Sequence, residues 1–470
     1  MLTVAFVNRR AELASLDSWW ERPGAQMGVV WGRRRVGKSW LLKHWARDKR
    51  TVLHVARVRP RAQELDAISR TAVGTLPPSR RNLLDRPFAD WDDLFETFAE
   101  AAESEPLLLV IDEFPDLLHA SPKLDSELRA IWERVADDTQ LRVILCGSAV
   151  GTMEALQTER APLYGRATLR LQVHPFRPHE AALMLPALSP AERAKAWGVC
   201  GGTPFYLSLW DSEAPFRDNL ARLFCNEHAL LLDEGELVLA TEDMAGRRGE
   251  RLPEQVLRAV ASGRTKHREI EASIKTLPDR SLDLLTRRRL IERVVPVTER
   301  GTSRLGYYRV ADNFLAFWLD IVERHRPAIE LGQGASIVRV MEQQFDDFMG
   351  ARWETAFRDW ARRRTVEDPP LIPDVSAVGE YWRLRAGPQE DPCQIDAMAL
   401  VGRSRRVGLV GEAKWARRER ADRIAADLAR KVTTAQLSTT DQPRYVVCAR
   451  EQLHDVPNGI LAVTAADIFG

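Results

Sequence analysis

Short apolar runs set between helical patterns mark the first third of the chain. Met27–Trp31, Leu107–Ile111 and Leu141–Gly147 are apolar almost throughout, as strands buried on both faces are. Ala167–Val173 alternates instead, with Thr168, Arg170 and Gln172 at every second position. Ser39–Arg47 carries Leu41, Leu42 and Trp45 at helical spacing. Strands alternating with helices predict a parallel, doubly wound α/β sheet, with ligands at the carboxyl ends of its strands. Residues 59–86 hold Pro60, Pro77 and Pro78 and read as irregular.

Past Pro178 the pattern changes to short helices broken by Pro186 and Pro190, and residues 210–245 read as helical. Leu252–Ser262 and His267–Ile274 then predict two helices, and Leu277–Leu290 contains a third. Two strands around a Gly/Ser turn follow, up to Val310, which is the order of a winged helix-turn-helix. Asp312–Asp320 is a richly apolar helix and reads as core. Gly332-Gln333-Gly334 loosens the chain, so a boundary is expected near 331. Beyond it lies a helix with Phe345, Phe348, Met349, Trp353, Phe357 and Trp360. Next come β runs at Gln394–Val401 and Val407–Lys414 around a Gly402–Arg406 loop. A helix with Ile424, Leu428 and Val432 and strands at Arg444–Ala449 and Ile460–Val463 complete an α/β sandwich with a mixed sheet.

A length of 470 residues implies three or four domains, and 45% hydrophobic residues can fill several cores. The net charge of +1 says nothing about nucleic acid, so local clustering must carry that question. No signal peptide and no apolar run of about 18 residues is found, which predicts no membrane span. Five widely spaced cysteines exclude a C-x-x-C site and fit a reduced, cytoplasmic setting.

The segment Gly32-Arg33-Arg34-Arg35-Val36-Gly37-Lys38-Ser39 fits the phosphate-binding pattern G-x-x-x-x-G-K-[ST], with a strand before and a helix after. Its backbone N–H groups would cradle phosphates, Lys38 would reach the β- and γ-phosphates of ATP, and Ser39 would ligate Mg²⁺. Asp112 and Glu113 end the buried run that starts at Leu107. Two carboxylates there are costly unless a cation or a water uses them. Asp112 would hold Mg²⁺ through water and Glu113 would activate the attacking water; the alternative is a solvated acidic pair at a strand end. Ser148, after Leu141–Gly147, is placed to sense the γ-phosphate. The arginine triplet Arg33–Arg35 would bind extra phosphate or simply be solvated.

The two late β runs pose an electrostatic problem. A hairpin symmetric about Ser404 sets Asp396 across from Glu412, with Lys414 two residues from Glu412 on the same face, and like charges opposed across a sheet destabilise it. A Mg²⁺ or Mn²⁺ ion would resolve the repulsion, with Glu354 approaching from the preceding helix. The ion would activate a water and stabilise charge on a scissile phosphate, with Lys414 assisting. A salt-bridged sheet face without metal, and a degenerate fold that no longer cuts, remain open. In the three-helix segment Arg280, Arg287, Arg288 and Arg289, with Arg300 and Arg304 of the wing, would contact DNA phosphates; packing of this module against a neighbour is the other reading.

"FVNRRAEL" (6–13), "IDEFPDL" (111–117), "LCGSAVGTMEAL" (145–156), "PLYGR" (162–166) and "GGTPFYL" (201–207) occur in this order. Together they resemble the archaeal-type ATPase family, a P-loop group of ASCE type close to STAND signalling ATPases and AAA+ origin-binding proteins. The resemblance implies that Phe6–Arg9, Arg9 included, flanks the adenine, that Pro204 packs near the base and that Arg166 senses the γ-phosphate. It also implies a helical lid after the ATPase core. "MGARWETAF" (349–357), "QIDAMAL" (394–400) and "LVGEAKW" (409–415) resemble the PD-(D/E)XK nuclease-like domain joined to such ATPases, a restriction-endonuclease-like α/β fold. Gln394 stands where that family more often has Glu. The expected division is an ATPase core over 1–175, a lid over 176–245, a winged helix-turn-helix over 246–330 and a nuclease-like domain over 331–470. The expected cofactors are ATP and Mg²⁺, with Mn²⁺ at the nuclease site, and the expected partners are DNA and further copies of the chain.

Overall fold

The computed structural model describes residues 6–76, 82–137, 139–241, 251–383 and 393–470. Pro77, Pro78 and the expected boundary at 245/246 lie outside the described residues. The chain divides into two compact units, Met1–Pro175 and Phe176–Gly470.

In the first unit five strands, β1 (Gln26–Trp31), β2 (Thr51–Val55), β3 (Leu107–Asp112), β4 (Leu141–Gly147) and β5 (Ala167–Gln172), form one sheet. Its order is β2-β3-β4-β1-β5 and every pairing is parallel. The central strands β3 and β4 are buried at every position, as their apolar runs require. Arg142 interrupts the β4 run, yet it is buried because its guanidinium donates to the backbone carbonyls of Trp20, Arg22 and Gly24. Two apolar layers cover the faces, one centred on Phe95, Phe98 and Ile131 and the other on Leu16, Leu41 and Leu42. The parallel order brings the ends of β1, β3 and β4 to one edge, where Trp31 pairs with Gly147.

The second unit contains a helical part, a hairpin and a mixed sheet. Helices Leu252–Ala261, His267–Ile274 and Asp279–Arg287 precede the antiparallel pair β6 (Ile291–Val294) and β7 (Tyr307–Val310). The third helix lies within the span Leu277–Leu290 in which the sequence places one. Strands β8 (Val375–Arg383), β9 (Cys393–Val401), β10 (Arg406–Lys414), β12 (Thr439–Ala449) and β14 (Ile460–Val463) form a sheet ordered β14-β12-β10-β9-β8. Short strands β11 (Arg418–Arg420) and β13 (Gln452–His454) pair beside it. The pairings β8–β9 and β9–β10 are antiparallel, while β10–β12 and β12–β14 are parallel. The sheet is therefore mixed. Helix Gly334–Val366 packs Trp353 and Phe357 on one face of it, and helix Ala421–Thr434 packs Leu428 and Val432 on the other. One apolar core runs continuously from Phe176 through Phe314 and Trp318 to Phe469. Helical part, hairpin and sheet thus share a single interior.

Candidate functional sites

The phosphate-binding loop is shaped by what its glycines exclude. A Cβ on Gly32 would fall 2.2 Å from the Val173 carbonyl oxygen, so no other residue fits. Gly37 caps helix Lys38–Trp45 with φ 93°, a conformation that costs glycine little. Lys38 is buried and its Nζ donates to the carbonyls of Gly32 (2.9 Å) and Arg33 (3.1 Å), holding the ammonium inside the loop. Ser39 Oγ donates to Asp112 Oδ2 at 2.5 Å. A hydroxyl from the first turn of helix Lys38–Trp45 and a buried carboxylate from the end of β3 form a hard-oxygen pair, which fits Mg²⁺.

Glu113 follows with φ 54°, an uncommon conformation for a non-glycine residue. Its Oε2 accepts from the Ser148 N–H (3.2 Å) and hydroxyl (2.9 Å). Ser148, expected at the γ-phosphate, is thus engaged with Glu113. Arg9 is also buried: it donates to the carbonyls of Val36 (2.7 Å) and His174 (2.8 Å) and to Glu12 (2.8 Å). These contacts make Arg9 a clamp between the segment preceding the first helix and the phosphate loop. Beside it Phe6 stacks on His44 with ring centroids 3.7 Å apart. Arg166 pairs with Glu133 and is partly exposed at the start of β5. Pro204, in the second unit, is buried in the first turn of helix Pro204–Ser208.

The second cluster of carboxylates lies in the mixed sheet. The β9–β10 ladder pairs Val410 with Met398 and Gly411 with Ala397, the register of a hairpin symmetric about Ser404. It stops one step short of the expected Asp396–Glu412 pair. Beside that step the β8–β9 register shifts between Gly379 and Tyr381. Such irregularities re-aim side chains. Here the Asp396 carboxylate, through Oδ2, accepts the Ala413 N–H at 2.9 Å. Glu412 is buried and fully engaged: Lys414 Nζ donates to Oε1 and Lys431 Nζ to Oε2, each at 2.8 Å. Burial opposes charge on both lysines, but the Glu412 hydrogen bonds and charge outweigh it and raise both ammonium groups.

Asp396 is pushed up to about 6, first by burial and then by the charge of Glu412. Glu354 is pushed up to about 7, first by burial and then by Asp396. Asp396 is thus under the charge of Glu412, and Glu354 under that of Asp396. No three His, Cys, Asp or Glu side chains among the described residues converge closely enough to hold an ion as they stand. Their chemistry nevertheless suits a hard cation: Asp396 is a buried and Glu354 a half-buried carboxyl, and of the three acids Glu412 is the one hydrogen-bonded by lysines. Gln394 is exposed on β9.

Several members of this cluster carry no motif. Arg358 is 1% exposed and donates Nη1 to the Asp396 carbonyl at 2.8 Å, 3.9 Å from Glu354 and 3.6 Å from Glu380. Buried Glu380 of β8 accepts from the Tyr307 hydroxyl (2.7 Å) and from Arg309 (3.1 Å), both on β7. Val297 N–H donates to the Glu380 carbonyl at 2.8 Å, and Tyr307 packs on Trp382. The hairpin expected as a DNA-contacting wing is therefore docked on the sheet along β8. Of the arginines expected at DNA, Arg280, Arg287, Arg289, Arg300 and Arg304 are exposed and Arg288 is half-buried. Asp279 and Asp283 share the exposed face of their helix and dilute its charge. A heptad or helical-wheel reading of Gly334–Val366 places Arg358 on the buried stripe beside Glu354, a signal that would have found it.

Comparison with known proteins bears on the first unit most directly. Residues 6–209 match a family model described as an ATPase domain predominantly from Archaea. Residues 318–425 match one described as archaeal and bacterial proteins of unknown function. An uncharacterized protein of Methanocaldococcus jannaschii is 24% identical over 97% of both chains. An uncharacterized ATP-binding protein of the same organism is 43% identical over 47 residues, covering 10% of this chain and 80% of its own. Among solved structures, a Walker-type ATPase of Pyrococcus abyssi superposes with a TM-score of 0.52 at 20% identity, over 67% of this chain and 96% of its own. No helix among the described residues is long and apolar enough to cross a membrane. The loop, the Asp112–Ser39 pair and the strand order are those of a P-loop ATPase fold, and the segment 6–209 matches the archaeal-type ATPase domain.

Proposed function

We propose that this protein is a nucleotide switch whose second unit hydrolyses phosphodiester bonds in DNA with Mg²⁺ or Mn²⁺. In the ATPase domain, Lys38 would exchange its carbonyl partners for the β- and γ-phosphates, and the loop amides would cradle them. Ser39 and Asp112 would hold Mg²⁺, and Glu113 would orient the attacking water once released from Ser148.

In the second unit Asp396 and Glu412 would be the ligands of a divalent ion, with Glu354 beside them. When bound, that ion supplies Lewis acidity and a water of lowered pKa. Lys414 would neutralise charge developing on the phosphate once it leaves Glu412. The exposed arginines Arg280, Arg287 and Arg304, with Arg288, would track the DNA backbone, and self-association would accompany ATP binding. STAND- and AAA+-like switching, a winged helix-turn-helix and a PD-(D/E)XK fold are parts of this reading. The observation that carries it is the buried Asp396–Glu412 neighbourhood meeting Lys414 beside Glu354.

A second reading is a nucleotide-switched DNA-binding regulator that no longer cuts. It is favoured by the double engagement of Glu412 with Lys414 and Lys431. The test is cleavage of supercoiled plasmid and single-stranded DNA with Mg²⁺ or Mn²⁺, with and without ATP. The nuclease reading expects cleavage that Lys414→Ala abolishes and that Lys38→Ala makes independent of ATP. DNA binding without cleavage under every condition sinks it in favour of the regulator.

A further inference from the structure

A cavity of about 430 Å³ opens between the end of helix Leu252–Ala261, strand β7, helix Asn313–Phe317 and helix Gly334–Val366. Its charged lining is Glu292, Arg309, Asp320, Arg352 and Glu354. Four of the five have partners. Arg309 is paired with Glu292 and Glu380, Asp320 accepts from Arg324 at 2.7 Å, and Glu354 lies 3.9 Å from Arg358.

Arg352 differs. Its guanidinium stacks 4.1 Å from the Phe348 ring centroid and reaches the Phe348 carbonyl at 3.4 Å, and among the described residues no carboxylate lies at ion-pair distance. Burial disfavours this cation, and the charges of Asp320 and Glu354 in the same cavity offset that only from beyond ion-pair distance, so an anion at hydrogen-bond distance relieves more of the cost. Thr265 also lines the cavity. Its backbone is already engaged, the N–H with Glu269 and the carbonyl with Tyr308, which fixes a hydroxyl-bearing residue there.

We propose that this cavity binds a phosphate monoester of nucleotide size, with Arg352 as the counter-ion of the phosphate and Thr265 as a hydrogen-bond donor. The volume falls in the range of small-ligand pockets, about 300–1,000 Å³. It is far too small for a duplex, whose major groove alone is about 12 Å wide. The phosphate belongs either to a free nucleotide or to the terminal nucleotide of a strand. The same chemistry serves both. Glu354 lines both this cavity and the proposed cleavage site, but Arg352 and Thr265 lie outside the cleavage machinery, so binding measured without a divalent ion tests the cavity by itself.

The test is calorimetry on the full chain carrying Lys38→Ala, which disables the phosphate loop, in EDTA to prevent cleavage. The probes are inorganic phosphate, dTMP, and a thymidine decamer with or without a 5′-phosphate. Saturable binding of dTMP, with or without phosphate binding, assigns the site to a free nucleotide. Binding of the 5′-phosphorylated decamer over its 5′-hydroxyl counterpart assigns it to a strand end. In either case Arg352→Gln is expected to weaken binding by about tenfold or more. Ala261→Phe, which narrows the cavity and keeps every charge, is expected to do the same. Should Arg352→Gln fail to fold, as judged by its melting curve, Ala261→Phe alone decides. Absence of binding by all four probes, or wild-type affinity in the variants that fold, overturns the proposal.

Discussion

The molecule twice sets a lysine among buried acidic residues, and the two settings differ in how the charges are held. At the end of β3 the carboxylate of Asp112 meets a hydroxyl, Ser39, while Lys38 is held by carbonyl oxygens and not by an acid. In the mixed sheet Lys414 already pairs with Glu412 and a second lysine shares that carboxylate, while burial and the charge of Glu412 raise Asp396, and burial and the charge of Asp396 raise Glu354. The first site is assembled with its cation free to move onto a phosphate. The second has one acid paired with two lysines, and two acids whose carboxyls are still pushed up although Arg358 and Lys414 act on them. A site of the second kind changes its charge state on binding an ion, whereas the first mainly exchanges hydrogen-bond partners.

Removing the cation of the first site is expected to have the largest effect. Lys38→Ala should lower ATP hydrolysis by about 10²–10³-fold, measured by phosphate release, with far-UV circular dichroism unchanged. Hydrolysis within a few-fold of wild type would mean that Lys38 does not serve the phosphates. In the second site the sharper probe is Arg358, buried between Glu354, Glu380 and the Asp396 carbonyl. Arg358→Met should cost about 3–5 kcal/mol in denaturant unfolding, because it strands buried acids. A cost near zero would show that the acids are neutral without it. Glu380→Gln retains an acceptor for Tyr307 but loses the charge facing Arg309 and Arg358, and should cost about 1–3 kcal/mol.

The smallest effect is one of pH. Glu354 and Asp396 are raised in the folded state to about 7 and about 6, from ordinary values of 4.5 and 3.8. The folded protein therefore holds protons that the unfolded chain has released. Their stabilising contribution is complete below about pH 4 and is lost as pH rises through 6 and 7. In EDTA the melting temperature of the wild type should fall between about pH 5 and about pH 8 relative to Glu354→Gln, by about 2–4 °C for each kcal/mol. Parallel curves for the two proteins would remove the pH-dependent half of the comparison.

Legibility in the sequence follows the range of the contacts. Gly32, Gly37, Lys38 and Ser39 lie within eight consecutive residues, and Asp112 ends an unbroken apolar run, so local pattern alone brings them to one sheet edge. Glu412 and Lys414 are readable for the same reason. Arg358 is readable only as a buried position one turn from Glu354, and Glu380 and Lys431 are not readable, since each reaches the cluster from a separate element through tertiary packing. The hairpin β6–β7 was legible as a hairpin, but its docking on β8 depends on Tyr307, Arg309 and Val297, ordinary surface residues in a one-dimensional reading. The five-residue turn expected at 402–406 is a four-residue turn, because Arg406 joins the strand.

That shorter turn is reconciled with the register by one extra residue in β10. Val407 pairs with Leu400 and Leu409 with Ala399, leaving Gly408 unmatched, at a place where a Cβ would come within 2.4 Å of Val401. Because side chains alternate from face to face, the extra residue sets the phase of everything from Leu409 to Lys414. Surface turns ordinarily absorb insertions and deletions freely. This one is a length gauge: losing Gly408, or changing the turn by a single residue, moves Glu412 and Lys414 to the opposite side of the sheet. Among homologues, gaps would be expected to fall anywhere along this hairpin's surroundings except between Val401 and Leu409.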